Sequence, residues 1–113
     1  MCRTKINKIK IKILKAAYAG GEGHIGSSFS VTDILYVLYN SSVKISSELI
    51  NSNDRDYVIL SKGHASLAHA AILEDKKIIT TEQLMSFCSH DSILGGHLVK
   101  NKVPGIEAST GSL

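Results

Sequence analysis

At 113 residues, 43% hydrophobic and 20% charged, the chain has the length of one small domain or of part of a larger one. Nine Gly and one Pro exclude a collagen-like or low-complexity chain. No apolar run approaches the ~20 residues of a membrane helix, and no long apolar stretch follows the basic start as a secretory signal requires. The net charge of +3 is local. Residues 1–15 hold Arg3, Lys5, Lys8, Lys10, Lys12 and Lys15 and no acid; the remainder has seven basic and ten acidic side chains, a net of −3. The first aromatic is Tyr18, so the basic run lacks the interleaved aromatics of a nucleic-acid surface and reads as a solvated helix face. Cys2 and Cys88 form no CxxC and read as reduced thiols of a cytosolic protein.

Residues 3–19 carry two periods at once. Ile9, Ile11 and Ile13 alternate with lysines as in a strand, while Ile6, Ile9, Ile13, Ala16 and Ala17 form a helical stripe. About 17 residues without a breaker is long for a strand, Leu14-Lys15-Ala16-Ala17 has high helix propensity, and Gly20-Gly21 supplies a stop. The expectation is a helix. Residues 20–28 read as a loop. Ser30 with Asp33 three residues on predicts the start of a second helix, whose face would be Val31, Ile34, Leu35 and Leu38. The Ser/Asn-rich stretch 40–53 reads as a connection. Asp56-Tyr57-Val58-Ile59-Leu60-Ser61 reads as a buried parallel strand. A helix is expected over Ala65–Asp75, and Thr80 with Gln83 opens another through Phe87. From Ser89 the chain turns irregular and ends inside a Gly-containing loop. One strand among several helices points to α/β, and one strand cannot make a sheet, so the expectation is a piece of a larger domain.

Gly21-x-Gly23-x-x-Gly26 matches a dinucleotide fingerprint, but that fingerprint needs a strand before it, and here a helix precedes it. Five histidines offer no short zinc-type pair; His64 and His69 are five apart and point to different helix faces. Three of them directly follow Gly: His24, His64 and His97. Gly permits a sharp turn and close ligand approach, and His donates to phosphate or moves a proton near neutral pH. His64 also follows the expected strand at its carboxyl end, where ligands of open α/β sheets bind. Glu107 reads equally as an exposed loop acid or as an acid beside a ligand.

Four segments in this order then carry a resemblance: Gly23-His24-Ile25-Gly26-Ser27-Ser28; Leu60-Ser61-Lys62-Gly63-His64-Ala65; Gly95-Gly96-His97; and Pro104-Gly105-Ile106-Glu107-Ala108-Ser109-Thr110-Gly111-Ser112-Leu113. From about residue 5 onward the chain resembles the start of a transketolase, most closely the N-terminal subunit of split, two-chain forms. The resemblance implies an α/β fold, the N-terminal portion of a parallel-sheet thiamine-diphosphate-binding domain flanked by helices and incomplete at residue 113. It implies transfer of a two-carbon ketol unit between sugar phosphates, with thiamine diphosphate and Mg2+. It implies that His64, Gly111, Ser112 and Leu113 bind the cofactor, and that His24 and His97 contact substrate and assist proton transfer.

The family's metal motif, Gly-Asp-Gly followed some thirty residues later by Asn, and the glutamate that activates the cofactor are expected beyond residue 113. A C-terminal transketolase subunit or domain would be the partner, in an oligomeric complete enzyme, with no nucleic acid or membrane involved. Other readings are a different thiamine-diphosphate enzyme, such as a deoxyxylulose-phosphate synthase, and a non-catalytic remnant that serves only as an interaction piece. The Pro-Gly-Ile-Glu-Ala-Ser-Thr-Gly-Ser-Leu run favours transketolase. The isolated chain is expected to be inactive and marginally stable, with 89–113 as its least protected part.

Overall fold

A computed structural model describes residues 2–20, 25–62, 65–86 and 103–106. Four α-helices form its frame: α1 (Cys2–Gly20), α2 (Ile25–Val37), α3 (Ser66–Asp75) and α4 (Thr81–Met85). α3 is central. Every residue from Ser66 to Glu74 is buried, as expected of a helix apolar on all sides. α1 and α2 pack on it and on each other, and α4 closes the end formed by α1 and α3.

The double period of α1 resolves in favour of the helix. Ile6, Ile9, Ile13 and Ala16 are buried against the other helices, whereas Ile11 is 50% exposed. A strand would have put Ile9, Ile11 and Ile13 on one side.

α2 departs from its expected start and face. It begins at Ile25, five residues before Ser30. Ser30 therefore lies inside the helix, where its hydroxyl donates to Ser27 O at 2.9 Å instead of capping. Asp33 is drawn instead to Arg3 and Lys10 of α1, at 3.8 and 3.3 Å. The buried face is Ser28, Thr32, Leu35 and Tyr36, continued by Tyr39; Ile34 and Leu38 point outward. Thr32 satisfies its own hydroxyl by donating to Ser28 O at 2.7 Å, so a hydroxyl can sit in the core without cost. A π-helical turn, Leu38–Ser42, carries α2 into the connection.

α3 and α4 follow their sequence signals. α3 ends in a Schellman motif: Lys77 N–H donates to Glu74 O at 2.9 Å and Ile78 N–H to Leu73 O at 2.9 Å. Lys77 takes the left-handed position, φ 62°, that Gly usually fills. Thr80 and Gln83 form a reciprocal capping box, with bonds of 3.0 and 2.9 Å. Phe87 lies outside the described residues.

The expected strand at 56–61 is a correction. The segment is extended, with Val58 and Leu60 packed against the core and Tyr57 and Ile59 exposed by 58% and 62%. No strand forms among the described residues. The Asp56 N–H donates to Lys44 O at 2.8 Å, and no ladder continues from there. A strand exists only as a member of a ladder, and the local pattern of 56–61 cannot supply its neighbour. The parallel sheet of the expected α/β fold is thus not formed among these residues.

The tail expectation also changes where it is described. Val103 and Ile106 are buried, and Ile106 N–H donates to Val103 O at 3.2 Å across a tight turn. Gly105 sits at φ +89° against Leu73; a Cβ there would lie 2.9 Å from Leu73 Cδ2. Only Gly fits both that backbone and that spacing.

Candidate functional site

The predicted site residues His24, His64, His97, Gly111, Ser112 and Leu113, and Glu107 beside them, lie outside the described residues. The structure describes the chain that flanks three of these positions. Ile25 opens α2 directly after His24, Lys62 stands two residues before His64, and the buried turn 103–106 runs directly up to Glu107.

Two of these flanks meet. Lys62 Nζ donates to Ser27 O at 3.2 Å and to Ser30 Oγ at 2.5 Å, across more than thirty residues of sequence. The lysine thereby ties the end of the extended segment to the first turns of α2. Three features suit that place to an anion. The ammonium is positive, the first turn of α2 carries unsatisfied N–H groups, and no acid lies in that turn to oppose them. Ser28, fully buried in the same turn, has a hydroxyl without a hydrogen-bond partner among the described residues. A donor set of this kind fits a phosphate-bearing cofactor. Neither Lys62 nor the serine hydroxyls stand out in the sequence. Lys62 sits in one of the four motifs, but nothing local shows that it reaches back to α2.

His69 has a different role from the Gly-His dipeptides. It is 3% exposed in the middle of α3, and its Nε2 is hydrogen-bonded to Tyr39 Oη at 2.9 Å. Burial holds its pKa down at about 4, so it is a neutral core side chain at pH 7. A second buried polar group is Glu74, 9% exposed, which accepts from Lys12 Nζ and from Thr81 Oγ1, both at 2.7 Å. That network joins α1, α3 and α4. Among the described residues no three His, Cys, Asp or Glu side chains gather as metal ligands. No described helix is long and apolar enough to cross a membrane.

Comparison with known proteins places this geometry. The family model described as "Transketolase, thiamine diphosphate binding domain" matches residues 2–113. One of the two subunits of an apulose-4-phosphate transketolase, from Actinobacillus succinogenes, is 37% identical over 98% of this chain and 40% of its own length. A Rhodococcoides fascians protein named ferredoxin fas2 is 39% identical over 83% of this chain and 31% of its own. The chain thus spans well under half the length of these relatives. Among solved structures, transketolase from Leishmania mexicana superposes with a TM-score of 0.86 at 28% identity, over 96% of this chain and 16% of that one.

Proposed function

The chain belongs to the transketolase family through its thiamine diphosphate-binding domain, and from that premise we propose that it supplies one wall of a ketol-transfer site. The observation that carries the reading is the Lys62 bridge to Ser27 and Ser30. It supports a single pocket fed by both Gly-His segments, since His24 and His64 stand within three residues of its two ends.

When bound, thiamine diphosphate supplies the carbanion stabilisation that moves a two-carbon ketol unit from a ketose phosphate to an aldose phosphate. The chain's own residues bind and orient. His64 donates to the diphosphate, with Lys62 positioning the segment that presents it. Gly111, Ser112 and Leu113 form the loop that packs on the thiamine. His24 and His97 hydrogen-bond the sugar and hold or move a proton at its hydroxyl and carbonyl oxygens, where negative charge develops. Mg2+ offsets the diphosphate charge, with ligands we assign outside residues 1–113. A C-terminal transketolase subunit or domain supplies the opposite wall. The outward faces of Tyr57 and Ile59 suit a parallel sheet that gains its further strands in the complete domain.

The test is ketol transfer assayed with cofactor, magnesium and purified C-terminal subunit. The complete assembly turns over and the 113-residue chain alone does not. Turnover by the chain alone overturns this division of labour. His64→Ala that leaves thiamine diphosphate affinity unchanged overturns the diphosphate contact.

A further inference from the structure

The basic face of α1 is divided by the fold. Arg3 and Lys10 pair with Asp33, and Lys10 also lies 5.7 Å from the centre of the Phe29 ring. Lys5, Lys8 and Lys12 follow one another at i, i+3 and i+7, so they rise along a single stripe of the helix. They line a cavity of about 350 Å3 between α1, the end of α2 and the end of α3, where Lys76 joins them. Four ammonium groups thus face one acid, the exposed Asp75.

Most of this charge is not neutralised. Lys12 is held by Glu74, but Lys76 reaches only the neutral Asn40 Oδ1 at 3.3 Å. Lys5 and Lys8 make no ion pair among the described residues. Like charges at these helical spacings repel by some tenths of a kcal/mol, so the folded chain gains nothing from gathering them. Tyr36, only 7% exposed, also lines the cavity, and its hydroxyl has no hydrogen-bond partner among the described residues. A buried tyrosine hydroxyl ordinarily finds one. Donors therefore exceed acceptors around a space large enough for a small molecule.

We propose that this groove binds a small phosphorylated polyanion, held by Lys5, Lys8 and Lys76 with the Tyr36 hydroxyl donating to a phosphate oxygen. Ammonium groups on flexible stems suit phosphate as point charges and need no fixed planar geometry. The site shares no residue with the Lys62 bridge, so it stands independently of the proposed ketol transfer.

Calorimetric titration of the chain with inorganic tripolyphosphate tests it. The expected result is saturable binding that weakens with added salt. The Lys5→Gln/Lys8→Gln double variant should lose affinity about tenfold or more. Tyr36→Phe should lose roughly threefold, as one neutral hydrogen bond would. Both lysines are exposed, so the double variant keeps the fold, and an unchanged helical circular dichroism spectrum verifies that. Absence of binding overturns the proposal. So does affinity that falls with Lys62→Gln but not with the double variant, which would place the anion at the other rim. Binding of oligoglutamate through the same lysines, without tripolyphosphate binding, would make the groove an acidic-peptide surface and equally overturn it.

Discussion

Two stretches of this chain alternate apolar and polar side chains, and they end differently. In α1 the alternation of Ile9, Ile11 and Ile13 is overruled, because a helix can hand Ile6, Ile9, Ile13 and Ala16 to α2 and α3 and leave Ile11 in water. At 56–61 the alternation survives as extended chain, with Val58 and Leu60 against the core and Tyr57 and Ile59 outside. The difference lies in the neighbours. A helix satisfies its backbone internally and needs a partner for one stripe only, whereas an extended segment needs partners for its backbone and for both faces. The first therefore settles within the described residues, and the second does not.

This contrast can be broken at several points. The largest effect is expected from Ile13→Ala in α1, a fully buried side chain: about 2–5 kcal/mol of stability lost, read as a lower denaturation midpoint. A loss below about 1 kcal/mol would mean that the α1 stripe is not part of a packed core.

Acid is next. His69 has a folded pKa of about 4 against 6.5 unfolded. The unfolded chain therefore takes up a proton first as pH falls. The stability contribution of neutral His69 is complete above about 6.5 and is lost as pH falls toward 4. The loss is about 3 kcal/mol at most. Urea midpoints measured from pH 7 to 4 should fall more steeply in the native chain than in His69→Gln. Parallel slopes would contradict the burial.

Gly105→Ala meets both a left-handed backbone and Leu73 Cδ2, and should cost roughly 1–3 kcal/mol in thermal unfolding. A neutral result would detach the turn 103–106 from α3. Lys77→Gly works in the opposite direction. It relieves a φ of 62° at the end of α3 and should stabilise by about 0.5–1 kcal/mol, visible as a raised melting temperature.

The smallest effect sharpens the contrast most. Ile59→Ser should change the stability of the 113-residue chain by no more than about 0.5 kcal/mol, because Ile59 is already exposed. In an assembly that covers this segment the same substitution should cost about 1.5–3 kcal/mol. Equal effects in both settings would remove the case for a covering partner.

Much of the helical frame was legible in the sequence. The stripe Ile6, Ile9, Ile13 and Ala16, the stop at Gly20, the helix over 65–75 and the Thr80–Gln83 capping box all appear in the structure. The start of α2 was not legible. Its local signal, Ser30 with Asp33, was taken over by contacts distant in sequence: Ser30 by Lys62, and Asp33 by Arg3 and Lys10. The family was legible from four ordered motifs, and the family match over residues 2–113 bears it out. The functional roles of His24, His64, His97, Gly111, Ser112 and Leu113 are a proposal carried by those motifs.

What the sequence determined alone was whatever closes within a few turns of chain: helical period, capping boxes, and motifs whose meaning lies in their order. Tertiary structure decided what depends on partners far along the chain. It brought Lys62 to Ser27 and Ser30, buried His69 on Tyr39, set Glu74 between Lys12 and Thr81, and required Gly at position 105. Hydrogen bonds and close contacts between distant segments act over a few ångströms. No pattern along a line of residues measures such a distance until the chain has folded.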